Sequence, residues 1–146
     1  MTKKLLLILT LVILLTGCKS KKFYLEDKYY GNSKYLEISE REYNKIKDTS
    51  FVLFTYNSYC QFSKPCDQVF EQVMKKNNIS FLAMPYAEFK KTNLHDKVTY
   101  APSIIIVQKG KIVAYLDSES NDDLKLYQDS DKFEKWLDKY IYLKKN

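Results

Sequence analysis

Two cysteines in the middle of the chain, Cys60 and Cys66, are the residues best suited to chemistry. Five residues separate them, and Pro65 directly precedes the second at the predicted start of a helix. The N–H groups at a helix start lack intrahelical acceptors and can stabilise a thiolate, the reactive form of cysteine. Ser63 is a candidate N-cap, and proline is tolerated in the first helical turn. The pair could therefore exchange disulfides or form a permanent bridge.

The third cysteine, Cys18, follows a leader that begins with Lys3 and Lys4 and continues as an apolar run over residues 5–15. A helix of this length covers about 16 Å, roughly half of a bilayer core, so it is too short to span. The pattern predicts a secretory signal peptide. The four residues LTGC at 15–18, which end this pattern, resemble the lipobox of bacterial lipoproteins. The resemblance implies cleavage before Cys18, which would carry acyl chains such as palmitate.

We therefore expect a signal peptide at 1–17, a lipidated N-terminus and tether at 18–33, and a domain at 34–143. Two or more acyl chains give stable anchoring. The anchor would place the domain on the extracytoplasmic face of the cell membrane, where disulfides can persist. The tether contains four aromatic residues, Phe23, Tyr24, Tyr29 and Tyr30. These are too many for a free linker, so part of it should dock on the domain.

Strand and helix patterns alternate along the domain. Strands are predicted at 34–38, 51–56, 79–84, 103–107 and 111–116, and helices at 39–48, from the cysteine loop to 77, at 86–95 (a short helix or loop) and at about 130–141. Ser39 and Glu42 form a capping box, Lys109-Gly110 a hairpin turn, and residues 117–131 a solvated acidic loop. The order βαβαβαββα requires a mixed sheet with helices on both faces, which is an α/β fold.

This order resembles the thioredoxin fold, and two local features strengthen the resemblance. Tyr59-Cys60 and Pro65-Cys66 stand where the family has an aromatic–cysteine pair and a Pro-Cys helix start. Ala101-Pro102 precedes a strand where family members carry a cis-proline, so the resemblance implies a cis bond packed against the cysteines. The residues that a partner peptide would meet are then Tyr59, Phe62, Ala101 and Pro102.

The chain also departs from the family pattern. The family's redox motif has two residues between its cysteines, whereas this chain has five. Two other registers stay open: Cys60 to Ser63 in the motif's place, which puts Pro65 inside the helix at a cost of about 3 kcal/mol, or Ser63 as the counterpart of the nucleophile. The acid that many members keep under the cysteines is absent from residues 51–54.

Two functions follow from these residues. In the first, Cys60 and Cys66 form a structural disulfide in a membrane-anchored module that binds another extracytoplasmic protein. Closing this seven-residue ring would stabilise the fold by about 2 kcal/mol. In the alternative, the chain is a thiol–disulfide oxidoreductase in which Cys60 and Cys66 are catalytic and act with cis-Pro102. Whether the protein is an enzyme stays open, and the bilayer is the other expected partner, through Cys18.

Composition narrows the remaining classes. With 45% hydrophobic and 29% charged residues, the chain is neither disordered nor a polytopic membrane protein. The formal charge is +6, yet Arg41 is the only arginine among 24 basic residues. Recognition of bases and phosphates relies on arginine, so no nucleic-acid partner is expected. The single histidine, His95, leaves little for a metal site, and we predict no metal and no cofactor.

Overall fold

The computed structural model describes residues 21–57 and 65–144. Its strands are β1 (Tyr35–Glu37), β2 (Phe51–Tyr56), β3 (Phe81–Pro85), β4 (Ser103–Gln108) and β5 (Lys111–Tyr115). Its helices are α1 (Glu40–Ile46), α2 (Cys66–Asn77), α3 (Tyr86–Phe89), α4 (Asn121–Leu124) and α5 (Ser130–Leu137), with 3₁₀ turns at Asp27–Tyr29 and Asn93–Asp96. Several predicted features lie outside the described residues: the signal peptide, Cys18, Tyr59, Cys60, Phe62 and Ser63.

The five strands form one mixed sheet in the order β1-β3-β2-β4-β5. Strand β3 pairs in parallel with both β1 and β2, while β4 runs antiparallel to β2 and β5 antiparallel to β4. The apolar run FVLFTY forms the central strand β2, and its first five residues are buried because helices cover both faces. This strand order, with β4 opposed to the first three strands, is the thioredoxin fold that the sequence predicts.

Helices lie on both faces of this sheet, as expected. Phe51 packs against Tyr43 of α1, with ring centroids 6.3 Å apart, and Phe54 packs against Phe70 of α2 at 5.4 Å. Since Phe51 and Phe54 are three residues apart on one strand, they point to opposite faces. Helix α5 joins α2 on its face, where Phe133 lies 4.5 Å from Phe70.

Several local signals are confirmed. Ser39 and Glu42 form the predicted capping box at the start of α1. Lys109 and Gly110, with φ of 48° and 78°, make the turn between β4 and β5, as a two-residue hairpin requires. Asp129 caps α5 by accepting a backbone N–H through its side chain. These signals are local, and their geometry depends on few distant contacts.

Two predictions are wrong. Pro65, not Ser63, is the N-cap of α2, and it makes no side-chain capping hydrogen bond. Proline fixes φ near −65° and has no N–H to leave unpaired, so the loop can end directly before Cys66. The acidic stretch at 117–131 is not simply a solvated loop, because it forms α4 and buries Leu126 and Tyr127. Two apolar side chains are enough to bring this segment onto the core.

The N-terminal segment docks on the domain, as its aromatic content predicts. Leu25 is 3% exposed and Tyr29 is 1% exposed, and both belong to the hydrophobic core. Across residues 21–57 and 65–144, no helix is long and apolar enough to cross a membrane.

Candidate functional site

The two features that predict a site meet in one cavity. Cys66 is the first residue of α2, and the Ala101–Pro102 peptide bond that precedes β4 is cis, as the resemblance implies. Cys66 and Pro102 both line a cavity of about 380 Å³. Its other lining residues are Tyr35, Glu37, Phe54, Tyr56, Asn57, Pro65, Asp67 and Ala83.

The topology explains why these residues converge. Strands β1, β2 and β3 are parallel, so their carboxyl ends share one edge of the sheet, and α2 begins there after the loop that follows β2. Strand β4 is antiparallel to β2, with Ser103 paired to Thr55, so its amino end lies at the same edge. Pro102, which precedes β4, is thereby placed beside the end of β2.

Hydrogen bonds hold the proline loop from both sides. Asn57 donates from Nδ2 to the Ala101 carbonyl at 3.2 Å, which ties the loop after β2 to the peptide before Pro102. From the core side, the Tyr127 hydroxyl lies 3.0 Å from the Pro102 carbonyl and 2.8 Å from that of Leu116. Burial raises the pKa of Tyr127 well above its usual range, so the phenol stays a neutral donor.

A second tyrosine ties β1 to the start of α2. The Tyr35 hydroxyl donates to the Asp67 carbonyl at 2.8 Å, and its ring lies 5.6 Å from that of Phe54. Burial, followed by the nearby charges of Asp67 and Cys66, raises the pKa of Tyr35 well above its usual range. This bond positions the first turn of α2 against the sheet. Cys66 itself is 2% exposed and belongs to the core.

The described lining of the cavity is acidic, although the chain carries a net positive charge. Glu37 lies at the end of β1, where its carboxylate accepts a hydrogen bond of 3.0 Å from the Tyr56 hydroxyl. Burial, and then that hydrogen bond and charge, raise the pKa of Tyr56. Asp67 is the second carboxylate, and the described lining residues include no lysine or arginine. The site can therefore attract a cation at its rim.

The structure thus places some of the predicted site residues and adds others. Cys66, Ala101 and Pro102 come together, whereas Tyr59, Cys60 and Phe62 lie outside the described residues, as does Cys18. The residues that sequence reasoning missed are Tyr35, Glu37, Tyr56, Asn57 and Tyr127. An available signal was the position of Glu37 at the carboxyl end of a predicted strand, since such ends line sites in open α/β sheets.

Comparison with known proteins gives fold-level likenesses only. No protein-family model matches the chain, and no curated protein matches it. A cysteine-to-serine mutant of Entamoeba histolytica thioredoxin is similar at 19% identity and a TM-score of 0.47, over 64% of this chain and 96% of that one. The long form of spinach chloroplast thioredoxin f is similar at 18% identity and 0.47, over 67% and 87%. Schistosoma mansoni thioredoxin gives 18% and 0.44, over 64% and 91%. The fold assignment rests on the strand order, and the chain has a thioredoxin-like fold.

Proposed function

We propose that this chain is a membrane-anchored, extracytoplasmic thioredoxin-like module that binds a segment of another exported protein in the cavity between Cys66 and Pro102. The observation that carries the proposal is the cavity itself, formed by the first turn of α2, the Ala101–Pro102 peptide and the end of β2. Its volume of about 380 Å³ is at the small end of ligand sites, which suits a short stretch of peptide.

The lining indicates which peptide would fit. Tyr35 and Tyr56 present apolar rings with polar tips, a combination enriched at protein interfaces. Glu37 and Asp67 add negative charge at the rim. A complementary segment therefore presents an apolar side chain next to a lysine or arginine.

Within this module, Cys60 and Cys66 form a structural disulfide. Cys66 is 2% exposed at the start of α2, and a buried cysteine of this kind is typically structural rather than reactive. A bridge to Cys60 would close the seven-residue ring and limit the freedom of the loop that leads into α2.

A second candidate function is thiol–disulfide exchange, favoured by Cys66 at a helix start and by the Glu37 carboxylate in the same cavity. The Cys60 thiolate would attack a sulfur of a substrate disulfide, form a mixed disulfide and release one substrate thiolate. The Cys66 thiolate would then attack Cys60, release the second substrate thiolate and leave a Cys60–Cys66 disulfide. The substrate gains two electrons, and the cysteine pair loses two.

The reduction potential of the cysteine pair separates these functions. A value below about −300 mV marks a structural bridge, and a value between about −270 and −120 mV fits exchange. Cys66→Ser should trap a mixed disulfide on Cys60 if exchange occurs. Cys60→Ser is the matched control, because it lacks the thiol that would form the mixed disulfide. Trapped adducts on Cys66→Ser alone would overturn the structural assignment.

Peptide binding tests the leading function directly. For peptides with one apolar and one lysine side chain, Glu37→Gln should weaken binding by up to about fivefold, the value of an exposed ion pair. Glu119→Gln, at an exposed carboxylate outside the cavity, is the matched control. Equal affinity for lysine and glutamate peptides would contradict the proposal that the acidic lining recognises a basic side chain.

Cys18→Ser should move the protein from the membrane fraction to the supernatant, and retention in the membrane would contradict the anchor.

A further inference from the structure

The N-terminal segment joins the domain almost as soon as it leaves the proposed anchor. The backbone of Phe23 donates to the Tyr140 carbonyl at 3.1 Å and accepts from the Tyr142 N–H at 2.9 Å. This pairing forms a parallel bridge between Phe23 and Ile141, and two residues further along the chain Leu25 is buried. The chain is therefore part of the domain from Phe23 onward, and only residues 19–22 lie between it and the proposed anchor, Cys18.

The chain length outside this docked segment limits how far the domain can lie from the membrane. Three residue steps separate Cys18 from Lys21. A fully extended chain covers at most about 3.6 Å per residue, so Lys21 lies within about 11 Å of the anchored residue. This step rests on the proposed acylation of Cys18. Given that anchor, the surface around Lys21 must face the bilayer.

We define this basal surface by Lys21, Lys22, Tyr24, Tyr142 and Lys144. The rings of Tyr24 and Tyr142 stack at 4.4 Å between centroids, and they are 43% and 36% exposed. Lys22 Nζ lies 5.8 Å from the centre of the Tyr142 ring. Tyrosine is enriched at membrane–water interfaces, where its ring meets the headgroups, and lysine is attracted to anionic lipid.

The charges around the basal surface leave it attractive to an anionic bilayer. Lys22 forms an ion pair of 2.8 Å with Asp138, which offsets its charge. Lys21 is exposed, whereas Lys144 lies with Lys76 at the edge of a neighbouring depression and near Glu134, which forms an ion pair of 2.6 Å with Lys76. Each lysine near a negatively charged bilayer contributes on the order of 1 kcal/mol. The attraction therefore comes mainly from Lys21, with a smaller contribution from Lys144, next to the two tyrosine rings.

The basal surface lies at the opposite end of α2 from the cavity. Tyr30 donates through its hydroxyl to the Tyr142 carbonyl at 2.7 Å, and Gly31 N–H donates to the carbonyl of Asn78, the C-cap of α2, at 2.9 Å. Cys66 is the first residue of the same helix. Twelve helical residues span about 18 Å, so α2 separates the two surfaces by roughly that distance.

We infer that the basal surface rests on the anionic lipid of the membrane that holds the anchor. The stacked tyrosines lie at the headgroups, and Lys21 and Lys144 contact lipid phosphates. With this end of α2 on the bilayer, its other end points outward. The cavity between Cys66 and Pro102 is thereby presented to proteins that have left the membrane rather than to the lipid surface.

Hydroxyl-radical footprinting of the mature protein, purified from cells that express the full sequence, tests this orientation. On vesicles of phosphatidylglycerol and phosphatidylcholine, Tyr24 and Tyr142 should be oxidised several-fold more slowly than in detergent. Tyr100, which is 50% exposed and next to Ala101 at the cavity, is the internal control and should stay reactive. The double substitution Lys21→Gln and Lys144→Gln should remove much of the protection.

The outcomes distinguish this inference from the anchor on which it rests. Protein that fails to sediment with the vesicles shows that the anchor is absent, which overturns both. Protein that sediments with Tyr24 and Tyr142 unprotected keeps the anchor and overturns the orientation. Equal protection on pure phosphatidylcholine refutes the requirement for anionic lipid. Protection seen in cell membranes and lost on vesicles shows that a partner protein, not lipid, covers the surface.

Discussion

Replacing Tyr127 with phenylalanine removes one buried hydroxyl and leaves the ring in place against Phe70, 5.7 Å away between centroids. That hydroxyl lies 3.0 Å from the Pro102 carbonyl and 2.8 Å from the Leu116 carbonyl. A phenol has a single proton, so the two carbonyls share one donor. The substitution therefore tests how far this donor holds the proline loop against the core.

The expected loss follows from the burial of these groups. A hydrogen bond contributes a net stability of about 0.5–1.5 kcal/mol, but a buried acceptor left without its donor raises the cost to about 1–3 kcal/mol. Because the ring keeps its volume, no cavity adds to this. Tyr127→Phe should therefore lower the free energy of unfolding by about 1–3 kcal/mol, and it should loosen the wall of the cavity that Pro102 forms.

Urea unfolding at pH 7 measures the stability, and peptide binding measures the state of the cavity. The matched control is Tyr43→Phe, which removes a hydroxyl that donates to Asn93 Oδ1 at 2.6 Å on the other face of the sheet. Both variants should lose stability, and Tyr127→Phe alone should lose affinity. A change in stability below about 0.5 kcal/mol, or equal affinity in both variants, would refute the assigned role of Tyr127.

Three further predictions concern stability. Burial and the charge of Glu26 raise the pKa of Tyr29 to about 12. The contribution of this tyrosine to the free energy of unfolding is therefore complete below about pH 10 and is lost as the pH rises towards 12. Tyr29→Phe should remove about 1.4 kcal/mol of that loss at pH 11, and an unchanged pH profile in urea unfolding contradicts this. Thr55 Oγ1 is buried without a hydrogen-bond partner among the described residues. Thr55→Val should therefore raise the free energy of unfolding by about 1–2 kcal/mol, and a lower free energy of unfolding would mean that the hydroxyl has a hydrogen-bond partner. Gly110 has φ of 78°, and a Cβ at this position would lie 3.1 Å from the Lys47 carbonyl oxygen. Gly110→Ala should therefore lower the free energy of unfolding by at least about 1 kcal/mol. An unchanged midpoint of thermal unfolding would contradict that strain.

Features that depend on local sequence could be predicted well. The run FVLFTY carries enough apolar surface to identify β2 as a strand buried on both faces. Ser39 and Glu42 specify the start of α1 because their hydrogen bonds lie within three residues. Gly110 specifies the hairpin because few other residues adopt its φ at low cost.

The remaining site residues depend on which strands become neighbours. Glu37 reaches the cavity because β1 pairs with β3 and β3 with β2, an order that the strand pattern alone does not specify. Tyr127 could not be predicted as a buried residue, because it lies in an acidic segment whose average polarity favours solvent exposure. Its ring is nevertheless fully buried. The N-cap of α2 is Pro65 and not the predicted Ser63. The restricted φ of proline, rather than a side-chain hydrogen bond, defines the start of this helix.

The position of the carboxylate bears on both proposed functions. On β2, Phe54 occupies the cavity wall and packs against Tyr35 and Phe70, so no acid from the central strand reaches Cys66. The acids of this cavity lie at its rim: one is Asp67, directly after Cys66, and the other is Glu37 on β1, two strands away from β2, with one oxygen already accepting from Tyr56. An acid at the rim attracts a cation, whereas a buried acid would lie where it could serve the resolving thiol. This arrangement suits recognition of a basic segment, and exchange chemistry in the same cavity would have to pass its proton outward through Glu37 or water.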